Sequence, residues 1–201
     1  MSERIGIYNL FPQPVFKYKL KNYKEHNSNL IPYIYKMQEM DVKGENRSNS
    51  GGWHSKPFDL KEKGSVQNNF LMAVSECVFD TFLNYGWKVD PKRIRVREMW
   101  AIINKKDNFN IEHTHPNSYL SAAYYVKTPK NCGKFIASNP NLISKNYYPP
   151  IDKITQYNQK NSGIEVEEGN LLLFPAYLPH KVEKNMSNED RIVISFNVDT
   201  I

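Results

Sequence analysis

Cysteine is nearly absent from this chain: Cys77 and Cys132 are the only two among 201 residues. One sits in a helical pattern and the other in a Lys-Asn-Cys-Gly turn, so they do not form the disulfide framework of a small secreted scaffold. No run of 18 or more apolar residues occurs, which excludes a spanning helix. Met1-Ser-Glu-Arg-Ile-Gly lacks the apolar core of a signal peptide. A reducing cytoplasm is the expected compartment. Internal repeats and low-complexity stretches are missing too. So is a basic block: Lys and Arg total 27 against 21 acids, for a net charge of +6, but the lysines are scattered (Lys17, Lys61, Lys105, Lys130) without aromatic interleaving. That pattern reads as a solvated surface rather than a nucleic-acid footprint.

What the chain does have is a globular composition, with 40% hydrophobic, 24% charged and 13% aromatic residues, in a length suited to a single domain over 1–201. Phe16-Lys-Tyr-Lys-Leu20 alternates like an edge strand, and a short helix is expected from about Asn29 to Met40. Lys43 to Gly52 is a loop by composition. From Ser65 to Tyr85 apolar residues recur at helical spacing, with Gly86 as the stop. After about residue 90 the pattern becomes eight short strands separated by turns: Ile94 to Ile103, Glu112 to His115, Ser118 to Lys127, Gly133 to Ser138, Gly163 to Val166, Asn170 to Pro175, His180 to Val182 and Arg191 to Val198. Such spacing describes a jelly roll or barrel. The prediction is therefore a mainly β core over 91–201, with a strand and helices of residues 1–90 packed on it.

The histidines carry the first chemical signal. In His113-Thr-His115, read as part of a strand, side chains at i and i+2 share a face. His180 follows the apolar run Leu171-Leu-Leu-Phe-Pro-Ala-Tyr-Leu-Pro, and a rolled sheet returns late strands beside early ones. These three can meet at one metal, and Fe(II) accepts imidazole in a facial set of three that leaves positions open. His26 lies in a polar loop and earns no such role, while His54 is at best a residue of the mouth or one behind the ligands. Trp53, Trp100, Tyr147 and Tyr148 are candidates for mouth or packing.

Arg191 carries the second signal. It opens the apolar strand Arg191-Ile-Val-Ile-Ser-Phe-Asn197, and a buried guanidinium needs a partner. No acid lies within the strand, so either a carboxylate from outside the protein is gripped by the planar fork, or one of Glu165, Glu167, Glu168 and Glu189 pairs with it. Ser195 shares the face of Arg191 and could donate to the same carboxylate.

These residues resemble the 2-oxoglutarate- and Fe(II)-dependent oxygenases, and within them a branch with an HxHPxSxLSGxYY motif. Here that motif stands as His113-Thr-His-Pro-Asn-Ser-Tyr-Leu-Ser-Ala-Ala-Tyr-Tyr-Val126, with Ala122 in place of the usual Gly. Asn49-Ser-Gly-Gly-Trp-His-Ser55 and Phe174-Pro-Ala-Tyr-Leu-Pro-His180 resemble other blocks of the branch, so the likeness covers most of 49–198. It implies a double-stranded β-helix, with His113 and His180 as iron ligands. It further implies 2-oxoglutarate as co-substrate, its distal carboxylate held by Arg191, Tyr125 and Ser195. O₂ and an unidentified small molecule or peptide would be the other reactants, and hydroxylation the outcome. One departure stands out: the superfamily places a carboxylate where this chain has His115, which leaves the second ligand open between His115, the less well placed Asn117 and a water-filled position, while Glu112 points away. Two other readings remain open, a cupin-like three-histidine dioxygenase without 2-oxoglutarate and a non-catalytic jelly-roll binding or virion protein. The sequence leaves a homodimer open as well.

Overall fold

A computed structural model describes residues 2–88, 90–146 and 149–201. In chain order its elements are β1 (Phe16–Lys19), α1 (Tyr23–Met40), β2 (Asn49–Ser50), β3 (Trp53–His54), α2 (Val66–Asn84), β4 (Ile94–Asn104), β5 (Phe109–His113), β6 (Leu120–Lys127), β7 (Phe135–Ser138), α3 (Leu142–Asn146), β8 (Asn161–Ile164), β9 (Asn170–Pro175), β10 (His180–Val182) and β11 (Arg191–Thr200). They form two antiparallel sheets. The larger runs β1-β9-β6-β11-β4-β3 and the smaller β2-β5-β10-β7-β8. Apart from the β3–β4 and β7–β8 neighbours, strands adjacent in sequence fall into different sheets, so the chain rolls around a central space, as a jelly roll does.

Side-chain alternation along β11 decides which side of the larger sheet faces what. Ile192, Ile194, Phe196 and Val198 enter a core shared with Leu30 and Ile34 of α1 and with Phe70, Val74, Val78 and Phe82 of α2. The alternate residues, Arg191, Val193, Ser195 and Asn197, line a cavity between the sheets. The period of two thus separates a helix-covered face from a functional one. β9 is buried on both sides: Leu171 and Leu173 join the helix-side core, while Leu172 and Phe174 pack on the cavity side with Tyr125 and Phe135.

The helices are fixed by specific contacts as well as by area. Ser65 caps α2 by accepting from the Asn68 amide, and Phe70 packs on Tyr124 with ring centroids 4.7 Å apart. α1 begins six residues before the expected Asn29. Its first turns are polar, but the buried Asn27 donates to the Val126 carbonyl and accepts from the Tyr124 hydroxyl, both at 2.7 Å, and these tertiary bonds to β6 override weak local propensity. Pro32 lies inside this helix. The N-terminal third also supplies strands to both sheets, β1 against β9, β2 against β5 and β3 against β4.

Candidate metal centre

His113 and His180 face each other directly across the β5–β10 pair. That register brings their ring centroids to 4.3 Å. His115 arrives by a different route from the one expected. β5 ends at His113, because Pro116 removes a donor and restricts the residue before it, so strand alternation does not place His115. Its amide instead leaves the smaller sheet and donates to the Ala176 carbonyl at 2.8 Å, and this loop contact returns the ring to the same point. One ligand atom from each of the three imidazoles lies within 4.8 Å of the others.

Proton placement fits a cation. His113 Nδ1 donates to the Ile111 carbonyl at 2.8 Å and His180 Nδ1 to the Leu178 carbonyl at 2.9 Å. A carbonyl only accepts, so each Nδ1 carries the proton and each Nε2 presents a lone pair. His115 Nε2 and His180 Nε2 lie 3.4 Å apart. Burial, then the adjacent His180 and His113, push His115 down to about 3. Burial and His113 take His180 to about 4. All three rings are thus neutral near neutral pH, the form that binds a metal.

The same cavity, about 500 Å³ in volume, has Arg191 in its wall. The guanidinium is 1% exposed. Its Nη1 donates to the carbonyls of Cys132 and Glu183, the latter at 2.9 Å, while Nε and Nη2 have no partner among the described residues. None of the four acids weighed from sequence pairs with it: Glu165 pairs with Lys134, Glu167 with Lys19 and Glu189 with Lys127, and Glu168 forms no ion pair among the described residues. The fully buried Tyr125 hydroxyl likewise has no partner among the described residues. Burial raises its pKa well above the ordinary phenol value, against the opposing pull of Arg191, so it remains a donor. Tyr125 stands opposite Val193, next but one to Arg191 on β11. Ser195 lines the cavity on the same strand face. Buried donors left open on a fork and a phenol call for an anionic acceptor.

Other residues singled out from sequence divide between cavity and core. Trp100 and His54 line the cavity, whereas Trp53 is buried in the helix-side core and donates to the Asp41 carbonyl. His26 belongs to α1 and lies outside the cluster. Glu112 accepts from the Ser138 hydroxyl. Tyr147 and Tyr148 lie outside the described residues. The carbonyls of Cys132 and Glu183 that hold Arg191 had no sequence signal, since backbone acceptors carry no residue-type mark. Asn104 also went unnoticed: it faces Arg191 across the β4–β11 pair and lines the cavity.

Two rolled antiparallel sheets around a partly buried three-histidine cluster describe a double-stranded β-helix with a candidate metal site. The fold matches that of a prolyl-4-hydroxylase from Pseudomonas putida, with a TM-score of 0.64 at 11% identity over 94% of each chain. The viral collagen prolyl hydroxylase of Paramecium Bursaria Chlorella virus-1, solved with 2-oxoglutarate, gives 0.60 at 11% identity over 93% of this chain and 96% of that one. HygX from Streptomyces hygroscopicus, solved with nickel and 2-oxoglutarate, gives 0.59 at 14% identity over 94% and 83%. No curated protein matches by sequence. Residues 98–197 match the model of a family described as "Putative 2OG-Fe(II) oxygenase", and the chain belongs to that family of Fe(II)- and 2-oxoglutarate-dependent oxidoreductases.

Proposed function

We propose that this enzyme is a hydroxylase in which His113, His115 and His180 hold Fe(II) while Arg191, Tyr125 and Ser195 hold the distal carboxylate of 2-oxoglutarate. The observation that carries the reading is the pair of unpartnered guanidinium nitrogens on Arg191, in the wall of the cavity that the three histidines also line. A cupin-like dioxygenase without 2-oxoglutarate would leave those buried donors unused. Fe(II), when bound, supplies the activation of O₂ that is coupled to oxidation of the 2-oxo acid.

The chain's own residues position and shield. Nδ1–H bonds to Ile111 and Leu178 fix the tautomers of His113 and His180, so the lone pairs are set before any metal arrives. Arg191 offers Nε–H and Nη2–H as a fork for one carboxylate, and the Tyr125 hydroxyl adds a donor. With the far end so held, the 2-oxo acid end is aimed back toward the histidines. Phe135, Phe174 and Val193 wall the space between, exclude water and strengthen each charged contact.

The cavity volume falls in the small-molecule range, and its rim carries Glu45, Arg47, Glu98 and Pro116. A small molecule, or one side chain of a peptide, is the substrate class that fits. We read residues 1–201 as one domain. Among the described residues no helix is long and apolar enough to cross a membrane, and the free thiols of Cys77 and Cys132 support a reducing, cytoplasmic compartment. The test is succinate release from 2-oxoglutarate with Fe(II) and O₂, alone and with panels of metabolites and peptides. Release that requires all three components and is accelerated by one class of substrate is expected. O₂ consumption that proceeds equally without 2-oxoglutarate would sink the assignment.

A further inference from the structure

The three imidazoles are not held alike. His113 and His180 each have Nδ1 tied to a carbonyl of their own strand or turn. The hydrogen bond found for the His115 ring among the described residues is the Nε2 contact with His180 itself, which any metal between them would replace. His115 also lies beyond the end of β5, so no ladder fixes its backbone. Something else must orient this ring.

That element is an aromatic stack. The Trp100 indole lies 5.9 Å from His115, centroid to centroid, with 28° between planes, and 5.6 Å from His54 at 16°. Trp100 is 8% exposed and sits in the middle of β4, paired with Ser195 of β11 and in the six-stranded sheet. His54 is held in turn by its own Nδ1 donating to the Ser55 carbonyl at 2.7 Å. Near-parallel offset rings at these separations attract, and an indole in the middle of a strand paired along its length with β11 is a rigid platform.

We propose that Trp100, steadied by His54, is the positioning residue for His115, a stacking surface doing for this imidazole what a carbonyl acceptor does for the other two. The inference rests on the three-histidine reading. It accounts for how a chain with histidine in place of the usual carboxylate holds that ligand in a loop. A carboxylate would take no orientation from an indole face, whereas an imidazole does.

The probe is Co(II) alone, titrated anaerobically and followed by its visible absorption, with His115→Ala, Trp100→Met and Trp100→Phe compared against wild type. Loss of a group that orients a ligand typically weakens metal affinity by about 10–100-fold, and Trp100→Met should do so with an altered Co(II) spectrum. Trp100→Phe, which keeps an aromatic face, should recover most of the affinity and the wild-type spectrum. Wild-type affinity and spectrum in Trp100→Met, beside an impaired His115→Ala, would overturn the positioning role. An unimpaired His115→Ala would instead overturn the three-histidine reading and this inference with it. If Trp100→Met does not fold, proton NMR of the wild-type apoprotein decides. His115 ring protons shifted upfield by the indole ring current support the stack, and unshifted ones overturn it.

Discussion

Taking the guanidinium off Arg191 removes the donors at Nε and Nη2, which have no partner among the described residues, and the Nη1 bonds to Cys132 and Glu183. Truncating one partner of a buried charge pair costs about 2–5 kcal/mol. Arg191→Met should therefore raise the 2-oxoglutarate requirement by roughly thirty-fold or more, while metal affinity stays near wild type. Titrating metal and 2-oxoglutarate separately into the variant checks this; unchanged 2-oxoglutarate affinity would show that the free nitrogens serve another purpose. His180 is a different case. The sequence suggested a strand-end residue with little packing, yet it is 4% exposed, opens β10 and packs on Phe135 and Phe174 at 5.2 and 4.7 Å. His180→Ala should abolish metal binding and also lower stability by about 1–3 kcal/mol, with cooperative unfolding retained. A metal titration beside a denaturant melt reads both quantities, and full metal affinity in the variant would remove His180 from the ligand set.

At the scale of elements, the site depends on where backbones cross. The Cys132-Gly133 turn meets the segment after β10, so that the Cys132 and Glu183 carbonyls converge on Arg191. Gly133 permits this approach: its φ is +85°, and a Cβ there would come within 2.7 Å of the Lys184 carbonyl oxygen and 2.8 Å of that of Glu183. Because the opposing atoms are backbone, neither side can yield cheaply. Gly133→Ala is expected to destabilise the protein by about 1–2 kcal/mol from the left-handed conformation alone, and to weaken 2-oxoglutarate while leaving the histidine cluster intact. Isothermal titration with each ligand distinguishes that pattern from a uniform loss. Equal weakening of metal and 2-oxoglutarate would mean the turn supports the whole cavity rather than Arg191.

Across the whole molecule, the larger sheet keeps stability and chemistry on opposite faces. Phe70 is fully buried on the helix side and touches Tyr124, whose neighbour Tyr125 packs on the other side with Phe135 and Val193 of the cavity wall. Phe70→Ala should cost about 3–5 kcal/mol and leave the affinities for metal and 2-oxoglutarate unchanged, as a urea melt combined with ligand titration would show; a shift in either affinity would mean the two faces are coupled through β6. The sequence by itself determined much of this arrangement. Period-two alternation in Arg191 to Val198 separated core from cavity, the helical period from Ser65 to Tyr85 marked α2, and the motif around His113 pointed to metal chemistry. Local patterns suffice there because they register which side of an element is dry. Only the tertiary structure decided the rest. His115 reaches the cluster through a loop bond to Ala176 and not through alternation, α1 starts early because Asn27 bonds to β6, and Arg191 is held by the carbonyls of Glu183 just before its strand and of Cys132, 59 residues away. Most of these contacts are accepted by backbone carbonyls, which every residue carries and which leave no trace in residue type, and all of them exist only once the sheets have closed on each other.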